Sequence, residues 1–338
     1  ILFFGDIYQF PLELFLRLRR RARIILWFYD DEQYFHTHSK YYAQTADAVA
    51  TNDFSAVHAY QKIGVPAIYN SGVWIPREVL YPIDVPRDID VSFLGDCRKN
   101  DRASLLSFLR ANNIAVQTYG PGSAGGWFPE SDLSKLYART KVNLSFTKLD
   151  KLSWLNNDDP IINRSLGNKA PPFQAGAARS FCLTEYAPFL EKCFEIGREI
   201  ACFHDRESLL DGIRYFLSHD EEREEMARRA YEKVSACYTD DSFPRVLDDL
   251  HRVLHPASPY LVQTPTAYIS PRFAVRQVNV LFVHIIFALN RRQFSVAASL
   301  LPRLFSHGFW MFLTGSFGGL IRSIRLGLNR GRVERPVI

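Results

Sequence analysis

The chain has 338 residues, enough for two α/β domains of ordinary size, each with a core of its own. Hydrophobic residues make up 47% and charged ones 23%, a balance too apolar for disorder and too interrupted by charge for a multi-span membrane protein, so the class is soluble or peripheral. The net charge of +5 is unevenly spread, because residues 271–338 hold ten Arg against the single Glu334, which leaves −4 on the first 270 residues.

A basic, aromatic-rich tail on a mildly acidic body points to anionic lipid or polyanionic acceptors rather than to nucleic acid. Cys97, Cys182, Cys193, Cys202 and Cys237 form an odd set without a CxxC pair. Neither a disulfide framework nor a zinc site is written in them, and a cytoplasmic setting fits. The opening ILFFGDIYQFPLELF lacks the basic region and small-residue cleavage site of a signal peptide and does not begin with Met, so a missing N-terminal segment is expected.

In chain order, short β-branched and aromatic runs at 23–29, 48–51 and 67–70 alternate with helical stretches at 12–21 and 54–63. That alternation predicts a parallel sheet with crossover helices. With only about three strands in view it reads as a truncated domain, since a full doubly wound sheet has five or six. Two prolines in the stretch 81–87 disfavour helix and mark an interdomain connection. Strands are then expected at 89–94, 115–119, 142–146, 180–184 and 200–203, separated by helices at 102–112, 131–139, 188–194 and 206–217, which is a Rossmann-like βαβ series. A charged surface helix is expected at 221–237, and residues 147–170 form a long connection without a clear period. Two apolar helical stretches, 278–289 and 294–324, close the chain as an amphipathic hairpin that either packs on the body or lies on a membrane surface. The expected parts are an acceptor-side domain at 1–85, a nucleotide-sugar-binding domain at 86–255 and a basic helical extension at 256–338.

Three places could carry chemistry. The turn Gly95-Asp96-Cys97-Arg98-Lys99 runs from a strand into a helix, combining a small residue, cations and a helix N-terminus as a diphosphate site would; the bland alternative is a solvated turn whose cations pair with Asp96 and Asp101. Thr184-Glu185-Tyr186-Ala187-Pro188 reads as a second helix opening, where backbone N–H groups could hold phosphate and Thr184 or Glu185 could bond sugar hydroxyls, or where these residues merely organise the helix start. Asp30 and Asp31 follow the strand at 23–29 and so sit where an open α/β sheet meets its ligand, as a general base or as loop and capping acids. His36 and His38 have no recognisable third ligand, and no metal is expected.

Residues 180–237, with the strand end LTEY, the Leu190-Glu191 and Phe194 segment, the Gly197-Arg198-Glu199-Ile200 strand and the Leu209-Leu210 to Leu217 helix, resemble the C-terminal domain of CgeB-type glycosyltransferases, relatives of the glycosyltransferase group 1 superfamily. Residues 26–74 resemble that family's front domain through WFYDDEQYF, the strand at 46–52 and YQKIG. The resemblance implies a GT-B fold, two facing Rossmann-like domains of which the rear one binds a nucleoside-diphosphate sugar. It implies a donor-binding set of Gly95, Arg98, Lys99, Asn143, Ser145, Gln174, Thr184, Glu185 and Tyr186, with Arg98 or Lys99 against the diphosphate in place of a metal. Gln174 stands where the family has glutamate, and Leu166 holds the partner position eight residues earlier.

The expected activity is transfer of a sugar from a nucleotide-sugar donor to a glycan, lipid-linked or protein hydroxyl, without a further cofactor, at the cytoplasmic face of a membrane or in the cytoplasm. A non-catalytic relative that binds nucleotide or glycan, and a nucleotide-sugar epimerase, are the alternatives.

Overall fold

The computed structural model describes residues 1–4, 10, 12–149, 166–254, 271–290, 292–304, 312–318 and 320. The chain divides into two compact units, one built on residues 1–70 and 250–338 and the other on residues 71–151 and 159–249.

In the first unit, the described strands are β1 (Leu2–Phe4), β2 (Ile25–Phe28), β3 (Ala48–Thr51) and β4 (Ala67–Tyr69), all parallel and in the order β1-β2-β3-β4. Helices α1 (Leu12–Arg19) and α4 (Phe54–Lys62) make the crossovers that parallel pairing requires. Between β2 and β3 the chain forms α2 (Asp31–Tyr34), a π-turn at Phe35–Ser39 and α3 (Lys40–Ala43). The central strands β2 and β3 are buried on both faces, and Phe15, Leu26, Phe28, Tyr42, Val49 and Tyr60 fill the core around the sheet. Asp47 pins the start of β3 by accepting from the Ile24 amide at 2.8 Å and pairing with Arg19 at 3.1 Å.

The second unit carries β5 (Ile89–Leu94), β6 (Val116–Tyr119), β7 (Thr140–Ser145), β8 (Cys182–Glu185) and β9 (Ala201–Phe203) in the parallel order β6-β5-β7-β8-β9. Helices α5 (Arg102–Ala111), α6 (Leu133–Arg139) and α7 (Pro171–Ala177) connect the first four of them, and α8 (Arg206–Ser218), α9 (Asp220–Cys237) and α10 (Phe243–Leu254) follow β9. The first strand of this series thus lies inside the sheet, flanked by the second and third, which places a topological switch point between β5 and β7. Arg87 fixes the other end of the sheet by donating to the carbonyls of Ala138, Thr140 and Arg179 and pairing with Glu224 at 2.6 Å.

The expected helix at 188–194 is not formed. Phe189 adopts φ 67°, a left-handed conformation that stops a helix after Pro188, and only a 3₁₀ turn at Leu190–Lys192 remains. Conversely, β1, α7 and α10 were not anticipated.

After residue 270, α11 (Pro271–Asn290) and α12 (Phe294–Leu304) pack on each other through Val278, Leu281, Ile285, Ala297, Leu300 and Leu304. Among the described residues no helix is long and apolar enough to cross a membrane. Residues 150–165, within the long connection, and the whole tail beyond residue 320 lie outside the described residues.

Candidate functional site

Open parallel sheets bind ligands outside the carboxyl ends of their strands at the switch point, so the relevant edge is where β5, β7 and β8 end. β5 runs out at Leu94 into Gly95, and the next turn is tightly folded. Asp96 accepts from the Arg98 amide and from Arg98 Nε, both at 2.9 Å, while Arg98 Nη2 meets its second oxygen at 2.9 Å. Burial alone would raise the Asp96 carboxyl, but these bonds and the guanidinium charge hold it below its ordinary value. The alternative in which the turn pairs its own cation is thus realised for Arg98.

A glycine-bearing segment supports this turn. Gly95 donates its amide to the Tyr119 carbonyl at 2.9 Å, and Gly120, at φ 106°, lies so close that a Cβ there would stand 2.6 Å from the Gly95 carbonyl oxygen. Gly122, at φ 74°, lets the aliphatic part of Arg98 lie against the backbone. Only glycine tolerates both the positive φ and the approach. The run Gly120-Pro121-Gly122-Ser123-Ala124-Gly125-Gly126 was visible in the sequence and could have been recognised as a companion of the β5 turn.

Past the end of β7 at Ser145 the chain continues as Phe146-Thr147-Lys148, and here the three strand ends are joined. Glu185, the last residue of β8, accepts from the Thr147 amide at 2.9 Å, the Thr147 hydroxyl at 3.2 Å and the Lys148 amide at 3.3 Å. Lys148 Nζ lies 3.7 Å from the other Glu185 oxygen and is also paired with Asp101, the residue before α5. Asn100 donates to the Lys148 carbonyl at 3.0 Å, and the buried Arg102 donates to the carbonyls of Asp96 and Phe146. Burial would lower the Lys148 ammonium, yet Asp101 and Glu185 raise it, so it stays charged. Its side chain is 32% exposed, against 6% for Glu185. Lys148 is therefore an accessible cation at the switch point, and sequence reasoning missed it because its partners are remote in sequence.

The other expected donor residues are distributed as follows. Lys99 is exposed beside the β5 turn. Asn143, in mid-strand, is engaged within the sheet, donating to Ser180 Oγ at 2.8 Å and the Phe181 carbonyl at 3.0 Å and accepting from Ser92 Oγ at 3.0 Å. Ser145 is fully buried at the end of β7, and its Oγ has no protein hydrogen-bond partner. Gln174, on α7, accepts from the Tyr137 hydroxyl at 2.9 Å. Thr184 is buried and donates to the Glu185 carbonyl at 3.2 Å. The Tyr186 hydroxyl donates to Glu191 at 2.9 Å. Because no helix opens after Pro188, the amides of that segment do not form the phosphate site expected of a helix N-terminus.

In the first unit Asp30 and Asp31 follow β2, but in different settings. Asp30 is half-buried at φ 55°, and its amide donates to Asn52 Oδ1 at 3.0 Å. Asp31 is 2% exposed and accepts from the hydroxyls of Thr51 at 2.7 Å and Tyr60 at 2.8 Å. Burial pushes its carboxyl up to about 7, against the hydrogen bonds that favour the charged form. Asp31 is thus enclosed by its own unit, whereas the Asp30 side chain is partly exposed. His36 is exposed and His38 buried, and among the described residues no group of His, Cys, Asp and Glu could hold a metal ion.

Residues 98–242 match the model of a family described as glycosyl transferase-like, a segment that runs from the β5 turn past the end of α9. No curated protein matches the chain. Among solved structures it is similar to sucrose-phosphate synthase from Thermosynechococcus elongatus, with 12% identity, a TM-score of 0.53 and coverage of 73% of this chain and 72% of that one. It is similar to Anabaena Alr3699/HepE, solved in complex with UDP, with 10% identity, a TM-score of 0.54 and coverage of 72% and 77%. The pneumococcal O-GlcNAc transferase GtfA, solved in complex with UDP and GlcNAc, gives 10% identity and a TM-score of 0.50, and the match covers 72% of this chain but 55% of GtfA. At this identity the likeness shows the fold, which is GT-B: two parallel α/β sheets with a helical C-terminal part.

Proposed function

We propose that the chain is a glycosyltransferase that binds a nucleoside-diphosphate sugar at the carboxyl edge of the second sheet and transfers the sugar to a hydroxyl of a glycan, lipid-linked or protein acceptor. The observation that carries the reading is the convergence of Asp101, Lys148 and Glu185 at the β5/β7 switch point, within the segment that matches the glycosyl transferase-like family. UDP is the first nucleotide to test, because HepE and GtfA were solved with it.

In this reading Lys148, Lys99 and Arg98 face the diphosphate as the bond to the anomeric carbon breaks, and the preorganised cations stabilise the charge developing on the leaving group. Glu185 orients the Lys148 backbone and ammonium and offers its carboxylate edge to ribose or sugar hydroxyls. The acceptor oxygen attacks the anomeric carbon; if configuration inverts, Asp30 takes the proton, being the acid of the pair with a partly exposed side chain.

A second reading, binding without turnover, is favoured by Gln174, which supplies no charge and whose carbonyl oxygen is already taken by Tyr137. Calorimetric titration with UDP, GDP, ADP and dTDP, followed by a hydrolysis and transfer assay with the matching sugar donors, separates the two. Binding with release of nucleotide supports transfer, binding without it supports the second reading, and no binding removes both.

A further inference from the structure

The helices beyond residue 270 carry more apolar surface than their packing uses. The inward side of α12 is spent on α11, through Ala297, Leu300 and Leu304. Residues 312–318 are also helical, with Phe312 against the same cluster and Gly315 so close to α11 that a Cβ there would stand 2.6 Å from Val278 Cβ. Those contacts define the inward faces.

The outward faces are apolar too. On α12 Phe294 is 65% exposed, with Val296 and Leu301 exposed beside it; on the following helix Phe317 is 66% exposed, with Leu313 and Leu320. Leu313 and Phe317 stand at i and i+4, which is one stripe of a helix, and Phe294 and Leu301 are seven apart on another. A helix that is apolar both inward and outward belongs against hydrocarbon or protein rather than water.

Charge decides between those partners. The turn between α11 and α12 presents the exposed Arg292, and Arg303 stands in the last turn of α12. The sequence from residue 271 onward has ten Arg against one Glu. A second copy of this surface would set like charges against each other, whereas an anionic bilayer offers hydrocarbon to the stripes and phosphate to the guanidinium groups. No described helix is long and apolar enough to cross a membrane, so the segments would lie in the plane of the interface.

We propose that the outward face of α12 and of the helix at 312–318 docks the protein on an anionic lipid surface, with Phe294, Leu301 and Phe317 inserted and Arg292 and Arg303 at headgroup level. The surface does not depend on the donor-site reading, and nucleotide titration of the same variants keeps the two separable.

The test is co-sedimentation of the full chain with phosphatidylcholine vesicles, with and without phosphatidylglycerol. The expected result is binding to the anionic vesicles that weakens as salt rises and is slight on neutral ones. The triple variant Phe294→Ser, Leu301→Ser, Phe317→Ser should lose at least about tenfold in partition while its melting temperature holds, because the substituted side chains are exposed. Arg292→Gln with Arg303→Gln should lose about tenfold on anionic vesicles alone. Equal partition on the two vesicle types, no partition at all, or unchanged partition of the triple serine variant would overturn the proposal. So would a concentration-dependent dimer that the serine variant abolishes.

Discussion

Glu185 at the end of β8 holds the Thr147 amide, two residues beyond β7, at 2.9 Å, although the residues lie 38 apart in sequence. The bond closes one end of the strand pair and fixes the direction in which Lys148 leaves the sheet. Replacing Glu185 by Ala leaves the buried Thr147 amide without its acceptor, at a cost of about 2 kcal/mol. A drop of several degrees in the melting temperature is the expected reading. Glu185→Gln keeps an acceptor for Thr147 and should melt near the wild type, yet bind donor more weakly if the carboxylate also serves the sugar or ribose. Equal donor affinity of the wild type and Glu185→Gln would confine Glu185 to its structural part.

Asp31 allows a pH test with a definite sign. Its carboxyl titrates at about 7 in the folded chain against 3.8 ordinarily, because burial disfavours the charged form. A raised folded value means that the stabilising effect of the neutral acid is complete below 3.8 and is lost progressively as pH rises to about 7. Within that window the loss is about 1.4 kcal/mol per pH unit for the single group. Asp31→Asn retains an acceptor for Thr51 and Tyr60 and cannot ionise, so it should flatten this part of the stability profile and melt above the wild type at pH 8. Sugar transfer should persist in this variant. Loss of transfer with intact folding would return Asp31 to the catalytic group.

Gly120 tests the support of the β5 turn. Ala at φ 106° would place its methyl group 2.6 Å from the Gly95 carbonyl oxygen. Strain and displacement together should cost about 2 kcal/mol or more and move the residues around Arg98. Chemical denaturation of Gly120→Ala measures the first effect, and its nucleotide affinity reports the second.

The sequence exposes the fold more fully than the site. β5 was legible to the residue, at Ile89–Leu94, because its apolar alternation is long and ends at a glycine. β1 was missed because three residues carry no period. The helix expected at 188–194 failed for a local reason: Leu190 and Phe194 have helical spacing, but Phe189 turns left-handed. Arg98 stood out as a cation after a strand, and of the two readings the sequence left open for it the pairing with Asp96 is decided only in three dimensions. Lys148 was hidden in a connection without a period, since its place depends on Asp101 and Glu185, each nearly 40 or more residues away. Asp31 looked like an accessible acid at a strand end until Thr51 and Tyr60, from β3 and α4, closed over it.

The most direct test of the donor site is calorimetric titration of the wild type and of Lys148→Met with UDP under identical conditions. The account predicts saturable binding by the wild type and at least about tenfold weaker binding by the variant, the order expected for loss of one charge-assisted contact to a diphosphate, with little change in melting temperature. Equal affinity of the two proteins would contradict the placement of the diphosphate at the β5/β7 switch point.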